Sequence, residues 1–196
     1  MANTSRIRGL VPVGTLSGSP WASHVRMYAV AAANPTAIFR GDAVKLVPSD
    51  TAGTWGAETM PAVRAAAAGD ALLGVCVGPL VNRAISQTEA PGYLPASTAG
   101  FILVAIGTDV LYEVQDDASA TIGTTHFGNV GNLVAGAGSA TTGVSAYTLN
   151  ATDTNANTSG HQMLLVSAGA KIDNDPTAVS AKWIVRINNS QIKLGQ

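Results

Sequence analysis

Charge is what this sequence has least of. Asp, Glu, Lys and Arg together make up 12% of its 196 residues, and the formal net charge is −1. That is about half the charged share of an ordinary soluble domain. A chain with so weak a field does not draw nucleic acid or an anionic membrane from a distance. It is also poorly equipped to stay dispersed alone at high concentration, so the composition points to a surface that is covered in the working state. Cysteine is nearly missing. Cys76 is the single one, which excludes an internal disulfide and a cysteine-based metal cluster. Within Leu72-Leu73-Gly74-Val75-Cys76-Val77 it reads as a small buried hydrophobe. No apolar run approaches the roughly 18 residues of a membrane span. The opening Met1-Ala2-Asn3-Thr4-Ser5-Arg6 lacks the apolar core of a signal peptide. The expectation is synthesis in a cytoplasm, with no membrane partner.

The motifs of chemistry are lacking as well. His24, His126 and His161 are far apart in sequence and form no H-E-x-x-H pattern, so each reads as a surface or loop histidine. There is no G-x-S-x-G elbow, no G-x-x-x-x-G-K-[ST] loop and no G-x-G-x-x-G opening a helix. Asp116-Asp117 reads as a solvated pair at a strand end. Asp173-Asn174-Asp175 starts like a calcium loop but lacks its glycine and terminal glutamate, and Pro176 makes it a turn. Trp21, Trp55 and Trp183 are read as one core tryptophan and two in loops or interfaces, not as a sugar-binding face. The expectation is a protein without catalytic residues, cofactor or metal.

What is present is strand pattern. The stretch Thr98 to Asp117 holds the longest apolar run, Phe101 to Ile106, then Gly107-Thr108-Asp109, then Val110 to Val114. Phe, Ile, Val and Tyr suit a pleated sheet, and the spacing predicts a β-hairpin. Its first strand, apolar on both faces, is expected to be central. Its second, with Glu113 and Gln115-Asp116-Asp117, is expected to run out to solvent. Gly-Asp corners recur before apolar strands at Gly41-Asp42, Gly69-Asp70 and Gly107-Thr108-Asp109. Glycine takes the positive φ there, and the aspartate can bond the following backbone. Further strands are expected at His24 to Ala32, Ala43 to Val47, Leu133-Val134, Val144 to Leu149 and Met163 to Val166. In Ala181 to Asn188 the alternation puts Trp183, Val185 and Ile187 on one face and Lys182, Ile184 and Arg186 on the other. Pro61 to Ala68 fits a short helix or an extended segment. Ser49 to Trp55, Ser86 to Thr98, Ala135 to Thr142 and Ala151 to Ser159 read as loops, and Asp153 is the only charge from Ala118 to Ala170. The fold class is all-β, a small barrel or a sandwich.

Residues 1–23 read as an extended arm outside the β-rich domain of 24–196, which has a possible subdomain division near 118. Gly9, Pro12, Gly14, Gly18 and Pro20 break any period. Leu10, Val11, Val13, Leu16 and Trp21 would be wasted on a solvated tail, so an arm that lies on a partner is expected. Arg6, Arg8 and Arg26 are the only charges up to about Val30. Three cations without an aromatic stacking platform suit an acidic protein surface at least as well as phosphates. At about 3.3 Å per residue, some twenty residues reach roughly 65 Å.

Several of these segments, taken together, resemble small structural proteins of tailed bacteriophages. They are Ala2-Asn3-Thr4 with Gly9-Leu10-Val11-Pro12-Val13, Gly41-Asp42-Ala43-Val44, Leu73-Gly74-Val75, Tyr112-Glu113-Val114-Gln115-Asp116-Asp117 and Ala181 to Asn188. They resemble the head decoration, or cement, proteins on the outside of capsids. The resemblance implies a β-rich fold, no catalytic residues, and homo-oligomers (dimers or trimers) bound across junctions between major capsid protein subunits. It also implies a place on the virion exterior and no direct contact with nucleic acid. A tail, neck or fibre protein, or a carbohydrate-binding or adhesive module, are the alternatives that the residues leave open.

Overall fold

A computed structural model describes residues 3–50, 52–80, 92–155 and 160–192. In chain order the strands are β1 (Val11–Thr15), β2 (Val25–Val30), β3 (Ile38–Phe39), β4 (Ala43–Leu46) and β5 (Gly53–Trp55). Then come β6 (Glu58–Met60), β7 (Val63–Ala65), β8 (Gly74–Leu80), β9 (Tyr93–Leu94) and β10 (Gly100–Ile106). The remaining strands are β11 (Val110–Gln115), β12 (Val130–Val134), β13 (Thr148–Asn155), β14 (Met163–Ala168) and β15 (Lys182–Ile187). Short 3-10 turns at Trp21–His24 and Thr124–His126 are the only helical elements among the described residues.

The strands form a six-stranded sheet, β1-β11-β15-β14-β12-β13, and a five-stranded sheet, β2-β10-β8-β4-β7. Two ribbons, β3-β9 and β5-β6, complete the set. The strand ladders are antiparallel and no sheet closes on itself, so the architecture is a β-sandwich and not a barrel.

Alternation explains how one sheet serves two cores. In β4, Ala43 faces the six-stranded sheet while Val44 faces away from it, and in β8 Val75 and Cys76 divide in the same way. On the inner side these residues meet Tyr112, Leu133, Leu149, Met163, Leu165, Trp183, Val185 and Ile187. On the outer side Val44, Cys76, Ile102 and Val104 are covered by Ile38 and Leu94 of the β3-β9 ribbon. Each such side chain contributes roughly 1.5–3 kcal/mol on full burial. Cys76 is fully buried, and burial pushes its thiol up to about 12. The two-faced Phe101–Ile106 run is accordingly an interior strand, as expected.

The hairpin is corrected. β10 and β11 exist where predicted, but β10 pairs with β2 and β8, whereas β11 pairs with β1 and β15. Gly107, at φ 117°, turns the chain from one sheet to the other. A short connection between two strands looks the same in sequence whether they pair or cross a sandwich. Gly41 and Gly69 also have positive φ, but the corner aspartates bond backward. Asp42 accepts the Phe39 N–H at 2.8 Å and Asp70 accepts the Ala67 N–H at 2.6 Å.

The outward run of β11 is corrected too: Glu113, Gln115 and Asp116 are buried. Asp116 accepts hydrogen bonds from the Ala118, Ser180 and Ala181 N–H groups at 3.0, 2.8 and 2.9 Å, and from Trp183 Nε1 at 3.3 Å. It is the knot between the end of β11 and the start of β15, not half of a solvated pair.

Three segments expected as loops contain strands. Residues 151–155 continue β13, with Leu149, Ala151 and Thr154 buried, and Gly53–Trp55 pairs with β6. Pro61 to Ala68 is extended and includes β7. Of the loop expected at Ser86 to Thr98, residues 86–91 lie outside the described residues, as do 156–159, and Tyr93–Leu94 forms β9.

Residues 1–23 are not free of packed structure. Val11–Thr15 pairs with β11 as the edge strand of the six-stranded sheet. Leu10 is 1% exposed within the main core. Gly9 takes φ 66°, which lets the Leu10 N–H reach the Gly41 carbonyl at 2.9 Å while its side chain joins the main core.

Candidate functional site

The N-terminal segment lies across the outer face of the six-stranded sheet. The Asn3 side-chain amide donates to the carbonyls of Asp175 and Val179 at 2.8 and 3.0 Å, and Asn3 Oδ1 accepts the Asp175 N–H at 2.7 Å. The Arg6 N–H donates to Gln115 Oε1 at 2.7 Å, and Gln115 Nε2 donates to Ser5 Oγ at 3.0 Å. Arg8 and Lys171 both reach Glu113 Oε1, at 3.3 and 2.6 Å. Glu113 and Gln115 are therefore buried by the segment laid over them and by the 169–181 loop, which Asn174 ties to Gly169 and Lys182.

This arrangement sorts the residues singled out in the sequence. Leu10 belongs to the core. Val11 and Trp21 are half-buried, and Trp21 packs against the main core from its 3-10 turn. Val13 is 47% and Leu16 56% exposed. Arg6 and Arg8 line one hollow, but Arg26 stands apart. It is on β2, the edge of the other sheet, where Nη1 donates to the Val25 carbonyl at 2.9 Å.

Sequence reasoning missed Ile7, Lys171, Ile172, Val179 and Lys182. Ile7 and Val179 are exposed, and Ile172 is fully so. Lys182 is on the predicted outer face of β15 but is only 6% exposed. The available signal was the alternation around Trp183. What covers Lys182 is the distant segment at 3–8 and the fold-back of the 169–181 loop that precedes it, which no local pattern joins.

Arg6, Arg8, Lys171, Asp173 and Lys182 line a hollow of about 340 Å³. Alongside it, Arg8, Leu10, Val11, Pro12, Trp21 and Arg40 line another of about 350 Å³. A third hollow, about 520 Å³, has alanine-rich walls with Asp42 and Tyr147. Burial pushes the Asp42 carboxyl up to about 6, against the pull of the Phe39 N–H and the Ser145 hydroxyl. The Tyr147 hydroxyl donates to the Ala66 carbonyl.

The histidines do not converge. His161 Nε2 is 3.0 Å from Asp153 Oδ1, whose other oxygen takes the Asn132 amide, so His161 is more engaged than a loop histidine. His24 is 3.6 Å from Asp109. No group of three His, Cys, Asp or Glu side chains suited to a metal occurs among the described residues. Trp183 is buried in the core and unavailable to a ligand, and Trp55 packs edge-on to Phe101. Asp173-Asn174-Asp175 is a turn, with Asp175 Oδ1 accepting the Thr177 N–H and hydroxyl. No helix among the described residues is long and apolar enough to cross a membrane. Comparison of the chain with family models, with curated proteins and with solved structures gives no match.

Proposed function

We propose that this chain is a non-enzymatic virion protein that docks on other protein subunits through the surface built by its N-terminal segment. The bacteriophage capsid exterior is the partner to which the sequence resemblance points. In that role it binds as a homo-oligomer across joints between major capsid protein subunits and stabilises them as a decoration, or cement, protein. The observation that carries the reading is the set of exposed aliphatic side chains on one segment and the loop tied to it: Ile7, Val13, Leu16, Ile172 and Val179. Five of the eight large hydrophobics exposed among the described residues fall on these two segments, a concentration that supports an interaction surface over single scattered side chains. Interfaces of about 1,200–2,000 Å² suffice for stable attachment, and many copies on a shell multiply a modest contact.

The docking runs through side chains and not through an added strand. β1 is an open sheet edge, but Pro12 has no N–H to offer and the β1–β11 register shifts between Pro12 and Gly14. Proline and a bulge are the devices by which natural sheets blunt an edge.

The test is attachment to shells by variants that leave the fold alone. Removing residues 1–20 is unsuitable, because it takes Leu10 from the core and β1 from the sheet. Val13→Lys with Leu16→Lys, at exposed positions, should melt within a few degrees of the parent and fail to bind capsids. Undiminished binding would overturn the docking surface. The amount of the chain in purified particles, read by quantitative mass spectrometry, tests the partner: a copy number matching the shell lattice supports the cement reading. A low one moves the chain to a tail or neck.

A further inference from the structure

Lys182 is a cation in the wrong place for a surface lysine. It belongs to β15, next to Trp183 in the core, and 6% of it is exposed. Its backbone N–H is held by Asn174, yet its ammonium group makes no hydrogen bond or ion pair with any described residue. The carboxylate on the same sheet face, Glu113, is already shared by Arg8 and Lys171. A covered charge without a counter-charge destabilises a fold. Lys182 lines the hollow of about 340 Å³ with Arg6, Arg8, Lys171 and Asp173, so cations outnumber carboxylates there even with Glu113 counted.

We propose that this hollow is a binding site for a carboxylate side chain of a partner protein, with Lys182 at its floor and Arg6 and Arg8 at its rim. Guanidinium and ammonium groups around a partly desolvated hollow give charge-assisted hydrogen bonds to a carboxylate. Two features favour a protein carboxylate over a free phosphate. Ile172, between Lys171 and Asp173, is fully exposed, and Ile7 adjoins Arg6 and Arg8. These side chains gain from an apolar protein surface and gain nothing from an inorganic ion. Asp173 also opposes a dianion more than a monoanion. The inference rests on the docking reading only for the source of the carboxylate.

The experiment is calorimetric titration of the full chain at low salt with a capped hexaglutamate peptide, with inorganic phosphate and with oligothymidylate. Saturable binding of hexaglutamate is expected, weakening as salt rises. Lys182→Met, which keeps the aliphatic stem, should weaken it at least about tenfold. Lys45→Met, which removes a lysine paired with Asp70 elsewhere, should leave it unchanged. Absent peptide binding, or equal binding by Lys182→Met, overturns the site. Tighter binding of phosphate or oligothymidylate than of the peptide overturns the carboxylate assignment. Lys182→Met should also melt no lower than the parent, since it removes an uncompensated charge; a lower melting temperature would show an internal partner and remove the premise. Peptide binding by a chain that does not attach to capsids would leave the site standing and dismiss the shell as partner. Attachment without peptide binding would do the reverse.

Discussion

Replacing Asp42 by asparagine should flatten the pH dependence of stability between about 4 and 6. Burial raises the Asp42 carboxyl from 3.8 to about 6. Below about pH 4 it is protonated in both the folded and the unfolded chain and contributes no penalty. Between the two values the unfolded chain releases a proton that the folded chain retains, so stability falls as pH rises. Above about 6 the loss is complete, and a shift of about two units corresponds to roughly 3 kcal/mol. An asparagine oxygen can still accept the Phe39 N–H that Asp42 Oδ2 takes at 2.8 Å, and its amide can face Ser145. Asp42→Asn should therefore match the parent near pH 4 and exceed it by up to about 3 kcal/mol at pH 8. The assay is urea unfolding followed by the fluorescence of the buried Trp183, at unit steps from pH 4 to 8. The quantity to read is the difference between the two proteins. Carboxylates such as Asp70, where Lys45 and the Ala67 N–H outweigh burial and lower the value, contribute with the opposite sign and cancel in that difference. A difference that stays flat across the window would refute the argument. So would an asparagine variant less stable than the parent at pH 8 by more than about 1 kcal/mol.

Two further substitutions test the architecture. Leu10→Ala should cost about 2–5 kcal/mol in denaturant unfolding, because the side chain is within the main core; a cost under about 0.5 kcal/mol would mean that the segment is not seated as described. Asp116→Ala strips the acceptor from three backbone N–H groups and the Trp183 indole, and about 3–5 kcal/mol should be lost. A near-neutral result by the same measurement would show that the carboxylate is not the knot between β11 and β15.

Alternation made the core legible. Trp183, Val185 and Ile187 are buried on one face of β15 as their spacing requires, and Phe101–Ile106 lies inside its sheet because both of its faces are apolar. Pairing was not legible. Gly107 serves a crossover as well as a hairpin, and the choice is made by β2, β8, β1 and β15, far away in sequence. Polarity misled where a polar side chain has distant partners. Asp116 looks solvated until Ser180 and Ala181 are brought to it, and residues 151–155 look like a loop until β12 pairs with Thr154 and Asn155. The site divides in the same way. Arg6, Arg8, Val13 and Leu16 stood out because nothing nearby in sequence explains them. Lys171 and Lys182 did not, because a lysine near a strand end is ordinary until the distant segment at 3–8 is laid beside it.

The pairing of β1 with β11 has a consequence for the order of events at the ribosome. Val11 lies opposite Glu113, and β11 in turn pairs with β15, where Leu111 lies opposite Arg186. The strand at 11–15 is thus synthesised roughly a hundred residues before its neighbour, and that neighbour waits for about seventy more before its other edge is filled. Local contacts cannot seat Leu10, since it closes a core drawn from strands throughout the chain. Loop-closure entropy delays such long-range pairings, so the six-stranded sheet assembles late and nearly at once. During that interval the nascent chain presents an unpaired aliphatic strand to its surroundings, and chaperone capture or premature association with neighbouring copies competes with folding.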